Sequence, residues 1–174
     1  MHVDEELKDP EGDRKLGYLA IYAGTAQLVR PGSVAKATLT DSAREVLQGD
    51  LLVSEDIMTT ADFKPHVPSK PVSGEVIAVV AGEDLAGQYD VVALNRGSAD
   101  GLERGNVLSV DQDVTPDPCT RLYRTATCQI SPHLALPAEM VGTLLVFKTY
   151  PQMSYALVLH DTVPILMDDR FRNP

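Results

Sequence analysis

The chain has 174 residues, 44% of them hydrophobic, with 12 glycines, 12 prolines, no tryptophan and a formal charge of −10. That length buries about 70% of the unfolded chain's surface without help from a metal or disulfide, and the composition is that of a turn-rich globular protein rather than a disordered one. The acid excess, with no gathered basic stretch, argues against a nucleic-acid partner, and no apolar run reaches the 18 to 20 residues of a membrane span.

In chain order, the acidic start "MHVDEELKDPEGDRK" (residues 1–15) has neither the basic end nor the apolar centre of a signal peptide and reads as a flexible acidic linker. A first β-module follows over 16–55. In it "LGYLAIYAGTAQLV" (16–29) is strand-like, "PGSVAKATL" (31–39) is a looser turn-and-strand, and 41–47 has the composition of one or two helical turns capped by Asp41 or Ser42. Residues 56–73, with four charges, three prolines and little periodicity, read as a surface loop or linker. A second β-module covers 74–174. Its strands are "GEVIAVVAG" (74–82), "QYDVVALN" (88–95), and "GTLLVFKTY" (142–150) with "MSYALVLHD" (153–161), the last two joined through Pro151-Gln152 as a tight hairpin. The fold class is therefore mainly β: small barrel-like or sandwich-like β-modules with one or two short helices.

A weak internal repeat sharpens this reading. "VLQGDLL" (46–52), "LERGNVL" (102–108) and "ILMDDRF" (165–171) share an apolar residue, two variable positions, Gly or Asp, Asp or Asn, a variable position and a second apolar residue. Gly, Asn and Asp tolerate a left-handed backbone, so Gly49-Asp50, Gly105-Asn106 and Asp168-Asp169 describe turns that each launch a strand. In "VVALNRGSADGLERGNVLSV" (91–110), Gly97, Gly101 and Gly105 precede a strand, not a helix, and fit neither nucleotide-binding glycine pattern. They are read as turn joints, with Asn95, Arg96, Gly97, Asp100, Gly101, Leu102 and Gly105 forming one structural motif and Gly101 expected at positive φ. Arg96 and Glu103 are either partner contacts or a salt bridge across the turn.

Catalytic and ligand signals are sparse. His2, His66, His133 and His160 are scattered outside any metal-ligand spacing, and Asp111 with Asp113 or Asp168 with Asp169 lack the spacing of a calcium loop, so no metal, cofactor or catalytic residue is assigned. Tyr18, Tyr22, Tyr150 and Tyr155 fall in strands, where packing is the default role. Cys119 and Cys128 bracket "TRLYRTAT" in a proline-flanked excursion over 111–140; they are either two free thiols or a disulfide, which would contribute about 2.7 kcal/mol by loop closure.

Three ordered blocks, "LGYLAIYAGTAQLVRPGSVAKATLTDSAREVLQGDLLV" (16–53), "VVALNRGSADGLERGNVLSV" (91–110) and "GTLLVFKTYPQMSYALVLHDTVPILMDDRFRNP" (142–174), resemble the C-terminal region of bacterial LysM-containing envelope proteins, among them the type IV pilus secretin-associated proteins (TsaP). They are also similar to the C-terminal domain of the flagellar assembly protein FlgT. The resemblance implies a periplasmic, outer-membrane-associated adaptor without enzymatic activity, partnered with a secretin or related ring protein. It implies that peptidoglycan is bound by an N-terminal LysM domain absent from these residues, the chain being either the portion after an interdomain linker or a distinct stand-alone relative. The excursion over 111–140 has no counterpart in it. Three alternatives stay open: a flagellar basal-body ring or assembly component, a peptidoglycan-acting enzyme, and a glycan-binding module.

Overall fold

The computed structural model describes residues 1–10, 12, 14–54, 64–80, 85–113 and 137–174. The chain is mainly β and divides into two compact units, Met1–Asp62 and Phe63–Pro174.

The first unit consists of two antiparallel ribbons, β1 (His2–Lys8) with β2 (Lys15–Ile21), and β3 (Gly24–Arg30) with β4 (Lys36–Ser42). Where the acidic composition predicts a flexible lead-in, the structure has β1. Its Leu7 is buried opposite Gly17, Asp9 is held by Arg14 at 3.1 Å, and Glu6 lies 3.6 Å from Lys15. Local cations thus answer Glu6 and Asp9, which composition alone does not reveal. The helical turn expected over 41–47 is also absent. Asp41 and Ser42 continue the β3–β4 ladder opposite Thr25 and Gly24, the Ala43 and Arg44 N–H groups donate to the Ala23 carbonyl, and Leu47 N–H is taken by the Asp50 carboxylate. The Leu47 N–H that would close the last helical turn is thus committed elsewhere. Two of the tyrosines expected to pack, Tyr18 and Tyr22, are exposed instead; Lys15 lies over the Tyr18 ring and the Tyr22 hydroxyl meets Thr25.

The second unit is a closed, all-antiparallel barrel. Its strands are β5 (Ser73–Val79), β7 (Val91–Leu94), β8 (Val107–Gln112), β9 (Glu139–Thr149), β10 (Ser154–Asp161) and β12 (Arg170–Arg172), in the cyclic order β10-β7-β5-β12-β8-β9. A short pair outside the ring, β6 (Leu85–Ala86) with β11 (Ile165–Leu166), leads into two of its turns. Alternation places Val76, Val92, Leu94, Leu108, Val110, Leu144, Val146, Val158 and Phe171 inside, and closure removes the open edges of a flat sheet. The β9–β10 hairpin turns at Pro151-Gln152, with Tyr150 N–H donating to the Met153 carbonyl at 2.8 Å.

Residues 64–72, expected as part of a surface loop, belong to this unit. His66 N–H donates to Gly105 O and Val107 N–H to His66 O, so the segment bridges onto the turn before β8. At its far end Asn173 closes the barrel: its Oδ1 accepts from Val72 N–H at 2.9 Å and its Nδ2 donates to Lys70 O at 3.1 Å. Prolines at 65, 68 and 71 keep the backbone extended and withdraw three N–H donors, which lets the strap lie along the barrel without further pairing.

β12 has only three residues, yet it bridges β5 and β8, with Phe171 fully buried between Gly74 and Val110. Phe171→Ala is expected to cost about 3–5 kcal/mol. Urea denaturation checks this; a loss below about 1 kcal/mol would mean that β12 is not needed for closure.

Candidate functional site

The repeated turns are built alike. In each, the Asp or Asn side chain accepts from the backbone N–H three residues earlier: Asp50 from Leu47 at 2.9 Å, Asn106 from Glu103 at 2.8 Å, Asp169 from Leu166 at 2.8 Å. The reverse backbone bond closes the same four residues, at 3.2, 3.2 and 3.3 Å respectively. The third residue of each turn has positive φ, at Gly49 (106°), Gly105 (92°) and Asp168 (69°), which with a negative φ before it is the type II pattern.

A fourth copy is hidden at "AGQYDVV" (86–92). Asp90 accepts from Gly87 N–H at 2.9 Å, Asp90 N–H donates back to Gly87 O, and Tyr89 sits at φ 73°. The sequence pattern misses it because a tyrosine occupies the left-handed position. The usable signal was Asp90 with Ala86 and Val92 at the repeat's apolar spacing. In the three barrel copies both flanking apolar residues are inside, Ala86 with Val92, Leu102 with Leu108, and Ile165 with Phe171, all at 0–1% exposure.

The stretch from Asn95 to Gly101 is a related but tighter corner. Gly97 N–H donates to the Asp100 carboxylate at 2.9 Å across a single 3₁₀ turn, Ser98–Asp100, and Gly101 ends it at φ 98°. Gly97 itself has extended dihedrals; its missing side chain matters because a Cβ there would lie 2.2 Å from Tyr150 O and 2.7 Å from Met153 N. Buried Asn95 accepts from Glu75 N–H at 2.7 Å, and Arg96 donates to the Ser73 carbonyl while its own carbonyl accepts from Ser154 Oγ. Leu102 is fully buried beneath the corner. These residues lock β5, β7 and the β9–β10 hairpin together.

Asp111, Asp113, Asp168 and Asp169, which the sequence offers only as loose acid pairs, line one open pocket of about 260 Å³ with Arg170 and Arg172. Arg172 pairs with Asp111, which raises the guanidinium pKa further, and the buried Asp169 carboxylate accepts from Leu166 N–H and from Gln112 Nε2 at 2.8 Å. The acids serve turn closure and strand pairing. Among the described residues no group of three His, Cys, Asp or Glu side chains could hold a metal ion. His66 donates from Nδ1 to Lys64 O and accepts at Nε2 from Asn106 Nδ2, His2 contacts Asp50 and His160 lies on β10, while His133 falls outside the described residues, as do Cys119 and Cys128 and most of the excursion. Tyr155 packs edge-on to Tyr150, and burial raises its phenol pKa, keeping it neutral.

The first-unit copy of the turn differs in its surroundings. Asp50 is tied to His2 at 2.9 Å, and Met1 and Leu51 exchange backbone hydrogen bonds, yet Val46, Leu47, Leu51, Leu52 and Val53 are all exposed. With the apolar face of the β3–β4 ribbon (Ala26, Ala37, Leu39), Val46, Leu47, Leu51 and Leu52 line a groove of about 250 Å³. This groove and the ribbon beside it are the candidate interaction surface. No known family model matches the chain, and no curated protein matches it in sequence.

Two outcomes are expected of the turns. Asp169→Ala should cost about 1–3 kcal/mol by orphaning a buried N–H, Asp169→Asn much less because Asn106 already does the same work, and Tyr89→Gly should stabilise by up to about 1 kcal/mol; chemical denaturation of the three variants checks all of them. The Leu47 N–H, and then His2, hold the Asp50 carboxyl below its ordinary value. Its contribution is therefore present above about pH 4 and lost as the pH falls through the lower folded value. Thermal melts from about pH 5 to pH 2 should show Asp50→Asn flattening that acid limb, and parallel curves would remove the assignment.

Proposed function

We propose that this chain is a non-catalytic adaptor domain of a LysM-type envelope protein, which in the periplasm docks to an outer-membrane secretin of a type IV pilus and so places that ring relative to peptidoglycan held by a LysM segment. The observation that carries the reading is the run of three ordered sequence blocks, 16–53, 91–110 and 142–174. They supply β2 to β4, the corner and turn that launch β8, and the β9–β10 hairpin with the closing strand β12. The functional part of an adaptor is its surface. The first unit presents two-stranded ribbons, whose strands each have one edge that pairs with no other strand among the described residues, and an apolar groove.

The test is a pull-down from detergent-solubilised outer membranes with the 174-residue chain as bait, read by mass spectrometry. Enrichment of a secretin supports the reading. Flagellar ring components in its place would move the protein to that machine, and neither would sink the adaptor role. Release of soluble fragments from purified sacculi by the chain alone would overturn its non-catalytic character.

A further inference from the structure

The segment 64–72 lies on the barrel without belonging to its ring of strands, and it is where the chain enters the second unit, which begins at Phe63. Its fastenings are few. His66 makes an isolated parallel bridge to Asn106, with its N–H on the Gly105 carbonyl and its carbonyl on the Val107 N–H, and its ring accepts from the Asn106 carboxamide at 3.0 Å. Toward the other end the Asn173 carboxamide donates to Lys70 O at 3.1 Å and accepts from Val72 N–H at 2.9 Å. Of residues 64–71 only Pro68 is buried, whereas Val72 belongs to the barrel core.

Lifting 64–71 away leaves the barrel nothing to repair. The turn beneath keeps its own bonds: Asn106 Oδ1 still accepts from Glu103 N–H, Gly105 N–H still reaches Val146 O, and Val146 N–H still reaches Asn106 O. The barrel donors uncovered are the N–H of half-buried Val107 and the Asn106 carboxamide, and water takes both once the strap is gone. Pro65, Pro68 and Pro71 have no N–H to lose, and their fixed φ limits the freedom gained on release, which favours return. The seat is also cut to shape, since a Cβ on Gly105 would stand 2.9 Å from Lys64 O and 3.2 Å from the His66 ring.

We propose that 64–71 is a releasable strap, which opens as a unit about a hinge at Val72 while the ring stays closed and the Val72–Asn173 bond holds. Docked, it fixes Lys64 at the Gly105 turn. Released, its eight residues let the point of entry from the first unit range up to about 26 Å from Val72, so the strap sets the length of the tether between the two units. This is independent of which machine, if any, the protein serves.

Native-state amide hydrogen exchange on the full chain, followed residue by residue by NMR, tests the proposal. The His66 and Val107 amides, bonded across the strap from opposite sides, should share one protection factor, at least about tenfold below those of Val146 and Val158 in the barrel. Asn173→Asp keeps the acceptor for Val72 N–H and removes the donor to Lys70 O. It should lower protection at His66 and Val107 about fivefold, although both lie toward the strap's other end, and leave Val72, Val146 and Val158 unchanged. Protection of His66 and Val107 equal to that of the barrel would overturn the proposal. So would an Asn173→Asp variant that leaves His66 and Val107 as in wild type, or that lowers protection at Val146 and Val158 by the same factor.

Discussion

The chain's architecture depends on one short-range interaction: a carboxylate or carboxamide oxygen that takes the backbone N–H three residues before it. Short strands must reverse or enter the sheet within four residues, and every such corner threatens to leave a backbone donor without a partner. In the turns ending at Asp50, Asp90, Asn106 and Asp169 the side chain supplies the acceptor, and the residue before it takes the left-handed conformation that swings the chain into the next strand. The spacing then sets the phase of that strand. A residue just before the turn and another two places after its end point the same way, which is inward for β7, β8 and β12.

The two units show how far that device reaches. Its hydrogen bonds are the same in both, because they involve only four consecutive residues. Burial of the flanking side chains is not the same, because it needs partner strands. The barrel provides them by closing on itself through the three-residue β12, the corner at Gly97, and the strap held by Asn173. Among its described residues the first unit has two ribbons and a turn but no ring, so apolar side chains that the same pattern hides in the barrel remain at the surface. A local motif thus yields a core in one context and an exposed apolar surface in another.

Short β-branched, apolar strands such as β5, β9 and β10, and the Pro151-Gln152 hairpin, were legible from the residues. Three of the four turns were too, since glycine and aspartate mark left-handed positions; the fourth was hidden because the turn's own hydrogen bonds and the backbone pairing of Tyr89 and Asp90 with Val158 hold an exposed tyrosine in a conformation its own chemistry disfavours. β1 was obscured by its acidic context, in which the pairing of Glu6 with Lys15, and of Asp9 just after the strand with Arg14, depends on the ribbon bringing them across. The 41–47 segment was misread because a capping aspartate looks the same whether it caps a helix or extends a ladder. The candidate surface was not legible at all: nothing in "VLQGDLL" distinguishes it from its buried siblings.

By itself, then, the sequence determined the β character, the placement of most strands and the turns between them, because these follow from side-chain alternation and from chemistry within four or five residues. Only the tertiary structure decided which strands close into a ring, that 64–72 straps onto that ring, and which of the repeated apolar flanks are covered. Those outcomes depend on contacts between residues a hundred positions apart, as between Val72 and Asn173, and such contacts leave no trace in local spacing.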